Sequence, residues 1–285
     1  MSVASNPSPM MLMRDPQPND AFEWTQEPWG RALRCPRLGT PHLFSTSDLT
    51  LRYDEAEWDA VAASMGVLRD RLLLVKQVHG VHAQIVRKGD PIPAIRPTGD
   101  IIVSDDPGVA IGVRTADCAS VLLHDPVTHA VGAAHAGWRG TAAGVAAAAV
   151  RVMQETFGTR PSDLIAAIGP CLGACCGEVG PDVVDAFRAG GATDAEIDAW
   201  LAPGRGDRSM LDLEKGNRDQ LVRAGLASAA IFTSGLCTKT HHGRLHSYRA
   251  AGAGAGRLLA TIRVAATSQR TTVSPRSNVI GPNTG

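Results

Sequence analysis

Three residues that can bind a metal ion, His79, Cys118 and His135, each lie where an apolar segment gives way to glycine or other small residues. Their surroundings read KQVHG, TADCAS and AAHAGWRG. Three protein ligands with an open fourth position are typical of a catalytic zinc site, and zinc accepts both histidine and cysteine. The separations of 39 and 17 residues are too long for a zinc finger, so the tertiary structure must assemble any such site.

The same residues permit other interpretations. Cys118 can act as a nucleophile with a histidine as its base. A single cysteine in an apolar setting can also be a small hydrophobic side chain, and a single histidine can be a hydrogen-bonded core residue. Sequence spacing does not distinguish a metal site from a Cys-His pair.

Apolar periodicity predicts the elements that position these residues. The predicted strands span 71–78, 81–87, 99–105, 108–116, 119–125, 129–136, 163–170 and 229–235. The predicted helices span 141–157, with Thr141 as a candidate cap, 182–190 and 210–226. Strands joined by short turns, with helices concentrated later in the chain, predict an α+β or mixed α/β fold. His135 then lies where a strand leads into a helix, a position at which such folds bind ligands.

Composition limits the classes of function. Lys+Arg and Asp+Glu both number 28, which argues against nucleic acid or an anionic membrane surface as the main partner. No apolar run approaches the roughly 20 residues of a membrane span, and the N-terminus has no signal-peptide pattern. Six cysteines in 285 residues are not a disulfide framework, so we expect free thiols and a cytoplasmic protein.

The predicted domain organisation is simple. Residues 1–20 and 267–285 are rich in Pro, Ser, Asn and Thr, and we expect both segments to be disordered. Residues 21–266 contain no internal repeat or long linker and are predicted to form a single domain, as a monomer or a small homo-oligomer.

Several motifs together resemble one known family. They are KQVHG, TADCASVLLHDP, AAHAGWRG, AAIGPCLGACCGEVG, LDL and CT…HSYR, in this order between about residues 71 and 256. They resemble the laccase-domain proteins, also described as multicopper polyphenol oxidoreductase-like proteins and as purine nucleoside phosphorylases. The resemblance implies a single α/β/β/α layered domain with a zinc ion bound by His79, Cys118 and His135.

The resemblance also implies an activity. The family phosphorolyses adenosine, inosine, guanosine and methylthioadenosine, and it deaminates adenosine, so purine nucleosides and phosphate are the expected substrates. The family's other descriptions leave two alternatives, copper-dependent oxidation of phenols and hydrolysis of wrongly built peptidoglycan precursors.

The chain departs from the family pattern at several positions. Ser47 stands where the family has an arginine, with Arg52 as a possible replacement. Gly177 replaces a tyrosine, and His246 takes the usual place of an aromatic residue. If the missing arginine binds substrate, its absence affects substrate preference or activity.

Histidine content weighs against a multicopper mechanism. A blue-copper centre with a trinuclear cluster needs about ten histidines, some as His-X-His pairs. The chain has nine histidines and no His-X-His pair. Cu²⁺ can still bind at the zinc ligands, because it outcompetes Zn²⁺ at most nitrogen and sulfur sites.

Phosphorolysis assigns roles to further residues. Cys118 and His135 are the predicted catalytic centre, and Asp117 is the nearest carboxylate for proton transfer or ligand support, unless it is only a turn residue. The candidate substrate-binding residues are Gln77, Arg114, Arg139 and Arg249. Arg139 can clamp a phosphate oxygen, and Trp138 either packs or stacks on a purine. Cys171, Cys175 and Cys176 lack a second pair of ligands in the sequence and are interpreted as structural.

Overall fold

Two large β-sheets form the centre of the protein. The structure is a computed structural model that describes residues 15–52 and 54–266. The strands are β1 (Glu23–Glu27), β2 (Gly30–Arg34), β3 (His42–Ser45), β4 (Leu72–Leu74), β5 (Ala83–Val86), β6 (Ile101–Ser104), β7 (Ala110–Thr115), β8 (Ala119–His124), β9 (Val131–Ala136), β10 (Ile165–Ile168), β11 (Glu178–Val179), β12 (Leu201–Pro203), β13 (Ser209–Leu211), β14 (Ile231–Thr233) and β15 (Leu258–Arg263). The helices are α1 (Glu55–Ser64), α2 (Trp138–Ala142), α3 (Val145–Phe157), α4 (Pro181–Ala189), α5 (Asp194–Trp200), α6 (Leu213–Arg223) and α7 (Tyr248–Ala251).

The strands are distributed over three sheets. The first sheet has the order β1-β2-β3-β15-β7-β4, and the second has the order β14-β10-β8-β9-β6-β5. A small third sheet has the order β11-β13-β12. Most neighbouring strands are antiparallel, but β4 with β7, β5 with β6 and β10 with β14 are parallel pairs. Pairing of both kinds confirms the predicted mixed α/β fold.

The apolar side chains divide the molecule into four layers. Phe44 and Ile111 of the first sheet and Leu122 of the second lie in one buried cluster between the sheets. Because successive side chains of a strand point to opposite faces, Val121 and Leu123 pack on the other side, against the cluster formed with α2 to α6. On the outer face of the first sheet, α1 packs through Trp58 and Val61, which lie in one buried cluster with Leu43 and Leu259 of that sheet. The resulting α/β/β/α sandwich agrees with the predicted layering.

The structure corrects the predicted helix over residues 141–157. Two helices, α2 and α3, occupy this stretch, and they meet at Gly144, whose φ of 78° is left-handed. Thr141 lies inside α2 and does not cap a helix. Its buried hydroxyl accepts a hydrogen bond of 3.0 Å from Asn217 Nδ2. The local sequence is rich in alanine, so the break is set by a single glycine.

The segment predicted to be disordered at the N-terminus overlaps the described residues. Residues 15–20 of that segment contact the rest of the domain. Asp15 pairs with Arg31 at 2.6 Å, and the Asn19 backbone N–H donates to the Ser234 carbonyl at 3.0 Å. The rest of the segment predicted to be disordered, residues 1–14, lies outside the described residues, as does the predicted tail 267–285. Among the described residues, no helix is both long enough and apolar enough to cross a bilayer.

Candidate active site

The three ligand candidates converge at one end of the second sheet. His79 lies in the loop after β4, Cys118 in the turn between β7 and β8, and His135 within β9. Their ligand atoms all lie within 4.8 Å of one another, and the two imidazole rings are 4.8 Å apart between centroids. Two imidazoles and a thiol at this separation fit the donor set of a transition-metal site. The structure thus brings together the three residues that the sequence singled out.

Strand register explains this convergence. Strand β9 lies between β8 and β6, where Ala119 pairs with Ala136 and Ile101 pairs with Ala134. Continuing each ladder by one residue places Cys118 on one side of the end of β9. The same step places Asp100 on the other side, beside His135. The position of the site therefore follows from the hydrogen bonding of three central strands.

Asp100 is a buried residue that sequence reasoning missed. Its carboxylate accepts a hydrogen bond of 2.8 Å from His135 Nδ1. It also accepts backbone N–H groups from Val78, His79 and Gly80 at 3.2, 3.0 and 2.7 Å. Because Nδ1 is the donor to Asp100, His135 Nε2 remains for a metal ion, an arrangement common at metal-binding histidines. The only signal in the sequence was a single acidic residue next to an apolar strand. This pattern is too common to single out Asp100 as a site residue.

The backbone around the ligands is unusual in two respects. His79 has a φ of 63° and Asp117 a φ of 88°, so both occupy the left-handed region that residues with a Cβ rarely adopt. Such conformations persist where the surrounding structure enforces them. Gly137 serves another purpose, since a Cβ there would lie 2.7 Å from Cys118 Sγ and 3.1 Å from His79 Cδ2. Only glycine leaves these two ligand candidates in place.

The ionisation of the site depends on the same contacts. Burial by itself raises the pKa of Cys118, but hydrogen bonds and charge interactions with His135 and His79 lower it to about 6. Burial lowers the pKa of His135, but Asp100 and Cys118 raise it to about 9. Burial by itself raises the pKa of Asp100. The hydrogen bonds from His135 and from the backbone N–H groups of Gly80 and Val78 outweigh burial, so the net shift of this pKa is downward. The site therefore favours a thiolate, the form of cysteine that binds metals.

A cavity of about 940 Å³ opens over the three ligand candidates. Among the described residues that line it, Asp117 is the only carboxylate. Six cationic side chains line it: Lys76, Arg96, Arg114, Arg139, Arg249 and Arg257. Apolar surface comes from Trp138, Leu172 and Tyr248, among others. The cavity is thus suited to a ligand that has an anionic group and an apolar or aromatic part.

Comparison with known proteins places the chain in a family. Residues 54–265 match the family described as multi-copper polyphenol oxidoreductase laccase. The chain belongs to this family. A purine nucleoside phosphorylase of Deinococcus radiodurans is 36% identical over 253 residues, which cover 81% of this chain and 91% of that protein.

Two further relatives extend the comparison. Adenosine deaminase RL5, from an unknown prokaryotic organism, is 33% identical over 203 residues, covering 69% of this chain and 76% of that protein. The crystal structure of YlmD from Geobacillus stearothermophilus matches with a TM-score of 0.75 and 28% identity. That match covers 85% of this chain and 99% of the YlmD chain. The fold of the family is therefore present over nearly the whole described body.

Two of the predicted site residues make contacts that favour a positioning role. Gln77 Nε2 donates to the Arg114 carbonyl at 2.7 Å, and its Oε1 accepts the Arg114 backbone N–H at 2.9 Å. Asp117 accepts hydrogen bonds of 2.6 Å from the Thr238 hydroxyl and from the Arg249 backbone N–H. These contacts hold the loop and the turn that carry His79 and Cys118. Both residues still line the cavity.

The predicted arginines all line the cavity, and each is steadied by other groups. The guanidinium of Arg139 lies 4.1 Å from the Trp138 ring centroid. Arg249 Nη1 donates to the carbonyls of Cys176 and Glu178, each at 3.2 Å. Arg114 Nη1 donates to the Leu51 carbonyl at 3.4 Å. Arg96 and Arg257 were not predicted, because each comes from a segment without a recognisable motif.

Ser47, which stands where the family has an arginine, and Arg52 both donate hydrogen bonds to backbone carbonyls. Ser47 donates its hydroxyl to the Gly243 carbonyl at 3.3 Å. Arg52 Nε donates to the Ala255 carbonyl at 3.0 Å, and a second nitrogen contacts the Ala253 carbonyl. Arg52 is not among the residues that line the cavity. The cationic residues that line the cavity are the six named above.

The cysteines interpreted as structural are not all alike. Cys171 is buried and pairs through its backbone with Cys237, in an isolated bridge. Cys175 and Cys176 lie with Cys237 in a second group whose sulfur atoms are within 4.8 Å of one another. The sequence concealed this group because Cys237 is about 60 residues further along the chain. None of these four cysteines lines the cavity over His135.

Proposed function

We propose that this protein is a zinc-dependent purine nucleoside phosphorylase that also deaminates adenosine. One observation carries the proposal: a single cavity is lined both by the His-Cys-His ligand cluster and by six cationic side chains. Phosphorolysis requires a phosphate nucleophile and a nucleoside side by side, and this cavity has space and charge for both. The activities of the named relatives support the same conclusion.

The reaction defines what the residues must do. A phosphate oxygen forms a bond to C1′ of the ribose, and the bond from C1′ to purine N9 breaks with its electron pair on the purine. The purine takes up a proton, and ribose 1-phosphate is the second product. A zinc ion bound by His79, Cys118 and His135 would supply a fixed positive charge and an acidified water at the floor of the cavity.

Arg139 is the residue best placed to hold phosphate. Its planar guanidinium can bind two phosphate oxygens at once, and the Trp138 ring beneath it restricts its conformations. Arg249 lies on the same cavity, and its backbone N–H is tied to Asp117, the neighbour of Cys118. The two arginines thus place the nucleophile close to the ligand cluster.

Deamination can use the same centre. It consumes water, breaks the bond from C6 to the exocyclic nitrogen of adenosine and releases ammonia, so it needs no phosphate. Tyr248 and Leu172 supply apolar surface for the purine ring. The adenosine deaminase among the relatives is 33% identical to this chain.

A multicopper oxidase is the less suitable assignment. Electron transfer in such enzymes requires several copper ions and about ten histidines. In the described part of the chain, histidine takes part in one group of metal-ligating residues, His79, Cys118 and His135. Cu²⁺ can replace Zn²⁺ at these three ligands, but a single mononuclear site does not supply the trinuclear chemistry.

We also place the protein in the cytoplasm. All six cysteines are free thiols in the structure. Free thiols persist in reducing compartments, whereas secreted proteins usually pair them.

The test is product identification with adenosine as substrate, with and without phosphate. We expect adenine and ribose 1-phosphate only when phosphate is present, and inosine in its absence. Cys118→Ala and His79→Ala should remove a metal ligand and abolish both activities together with bound zinc.

Matched variants control for indirect effects. His82→Ala removes an exposed histidine three residues beyond His79, and Cys35→Ala removes a buried cysteine between the sheets. Both should keep zinc and activity. The absence of any product from adenosine, inosine and methylthioadenosine in protein with one bound zinc would refute the proposed function.

A further inference from the structure

Three cysteines form a second cluster outside the cavity. The sulfur atoms of Cys175, Cys176 and Cys237 lie within 4.8 Å of one another, and those of Cys175 and Cys176 are 3.7 Å apart. Cys175 is exposed, Cys176 is half-buried and Cys237 is 8% exposed. The cluster is thus anchored in the body at one end and open to solvent at the other.

The fold builds this cluster from two separate loops. The Cys176 backbone N–H donates to the Gly173 carbonyl at 3.0 Å, which closes the turn that carries Cys175 and Cys176. The Thr238 backbone N–H donates to the Cys171 carbonyl at 2.9 Å and fixes the second loop beside the first. A Cβ on Gly173 would lie 3.2 Å from Cys237 Cβ, so glycine lets the turn approach closely.

We propose that Cys175, Cys176 and Cys237 bind a soft, thiophilic metal ion, Cu⁺, at a site separate from the His-Cys-His centre. Three sulfurs bound to one ion at about 2.3 Å lie about 4 Å apart, close to the spacing that the protein already provides. Thiolates are soft ligands and select soft ions such as Cu⁺ over Mg²⁺ or Ca²⁺.

The number of ligands favours Cu⁺ over Zn²⁺. Structural zinc sites are almost always closed by four protein ligands, whereas Cu⁺ is satisfied by three thiolates in a plane. In the part of the chain that the structure describes, this group of ligating side chains contains three members and no histidine or carboxylate. The Thr240 hydroxyl lies 3.5 Å from Cys175 Sγ and 3.7 Å from Cys176 Sγ, where it can donate to a thiolate.

Nearby charges suit an anionic metal–thiolate group. Three thiolates with one Cu⁺ carry a net charge of −2. An adjoining pocket is lined by Cys175 and Cys176 together with Lys239, Arg205 and Arg249. Glu178 also lines this pocket, but its carboxylate is paired with Arg205 at 2.9 Å. The residues that line this pocket therefore carry an excess of positive charge.

The test is an anaerobic titration of the full chain, loaded with zinc at the first centre. Cu⁺ is added in the presence of a chromogenic Cu⁺ chelator, and thiolate-to-copper absorption in the ultraviolet is followed. We expect one Cu⁺ per chain. Cys175→Ser removes a ligand and should lower the affinity for Cu⁺ by about 100-fold or more. Groups that only support a ligand typically change metal affinity by about 10–100-fold, so the loss of a ligand should exceed that range.

Two variants distinguish this site from the first one. Cys118→Ser removes a ligand of the His-Cys-His centre and should keep the bound Cu⁺, so the result is independent of the proposed catalytic activity. Cys35→Ser removes a cysteine distant from the cluster and should also keep it. Tightly bound Cu⁺ that survives Cys175→Ser, or that is lost in Cys118→Ser, overturns the proposal, as does the absence of tightly bound Cu⁺ in the unaltered chain.

Discussion

At the scale of single residues, the proposed ligand cluster depends on groups that are not themselves ligand candidates. Asp100 holds His135 through Nδ1 and holds the loop of His79 through backbone N–H groups. Gly137 supplies the space beside Cys118. Tight metal binding requires all three ligand side chains to be held in one geometry. The residues that orient these side chains therefore affect metal affinity as well.

The first prediction concerns Asp100→Asn. The variant loses the charge that pairs with His135, and its NH₂ group would face backbone N–H donors. We expect zinc affinity and phosphorolysis to fall by about 10–100-fold, measured by competition with a chelator and by product formation. Asp105→Asn is the matched control, since Asp105 follows the same strand and accepts the Lys88 backbone N–H at 2.7 Å. Equal zinc affinity in Asp100→Asn and the unaltered chain would contradict the role assigned to Asp100.

The second prediction concerns Gly137→Ala. The added Cβ would overlap Cys118 Sγ at 2.7 Å, so either the thiol or the backbone must shift. We expect a loss of zinc affinity of at least about 10-fold, with the folded state retained by circular dichroism. In Gly254→Ala, the new Cβ meets no atom within 4 Å, and zinc affinity should not change. If both variants bind zinc alike, close packing at Gly137 is unimportant.

At the scale of elements, strand register determines which side chains meet. Strand β9 delivers His135 between Asp100 and Ser120, and a shift of one residue would turn His135 to the opposite face. The continuous apolar burial of β8 and β9 makes such a shift unfavourable. The site is therefore held by the same packing that stabilises the second sheet.

Strand β3 contains a buried titratable group and carries the third prediction. His42 is 4% exposed. Its Nε2 accepts the Cys35 backbone N–H at 2.8 Å, and its Nδ1 contacts the Thr40 carbonyl at 2.7 Å. Nδ1–H is therefore the donor, and the ring is neutral. Burial lowers the pKa of His42 to about 4, below the ordinary value of about 6.5.

Protonation of His42 then favours the unfolded chain. Its contribution to stability is complete above about pH 6.5 and is lost as the pH falls toward about 4, by about 3 kcal/mol in all. Urea unfolding at several pH values should show a smaller decline for His42→Gln than for the unaltered chain over this interval. Parallel declines in the two proteins would show that His42 is not the titrating group.

At the scale of the whole molecule, charge is neutral overall and uneven locally. Lys+Arg equals Asp+Glu in the chain, yet six cations and one carboxylate line the cavity. A concave surface of one sign concentrates counter-charged ligands. The positive potential should therefore strengthen the binding of phosphate much more than the binding of neutral nucleosides.

The fourth prediction follows from this distribution. Raising ionic strength shortens the screening distance to about 10 Å or less above 0.1 M. We expect the KM for phosphate to rise with added salt while the KM for nucleoside stays nearly constant. Arg139→Gln should raise the phosphate KM and reduce its salt dependence. Arg160→Gln, which removes a surface arginine paired with Asp163, should leave both KM values unchanged. Equal salt effects on the two KM values would argue against a cationic phosphate site.

The sequence alone determined the features that depend on local pattern. Apolar periodicity located most of the central strands, and three short motifs identified His79, Cys118 and His135. Residue type and immediate neighbours are sufficient to locate strands and to select candidate ligands, because both have local chemical signatures.

Only the tertiary structure decided which distant residues meet. Asp100 reaches His135 because β6 pairs with β9, and Cys237 joins Cys175 across about 60 residues of chain. Arg96 and Arg257 enter the cavity from unrelated segments. These contacts arise from sheet register and from packing between loops. Their energies belong to pairs of residues far apart in the chain, so no single stretch of sequence contains them.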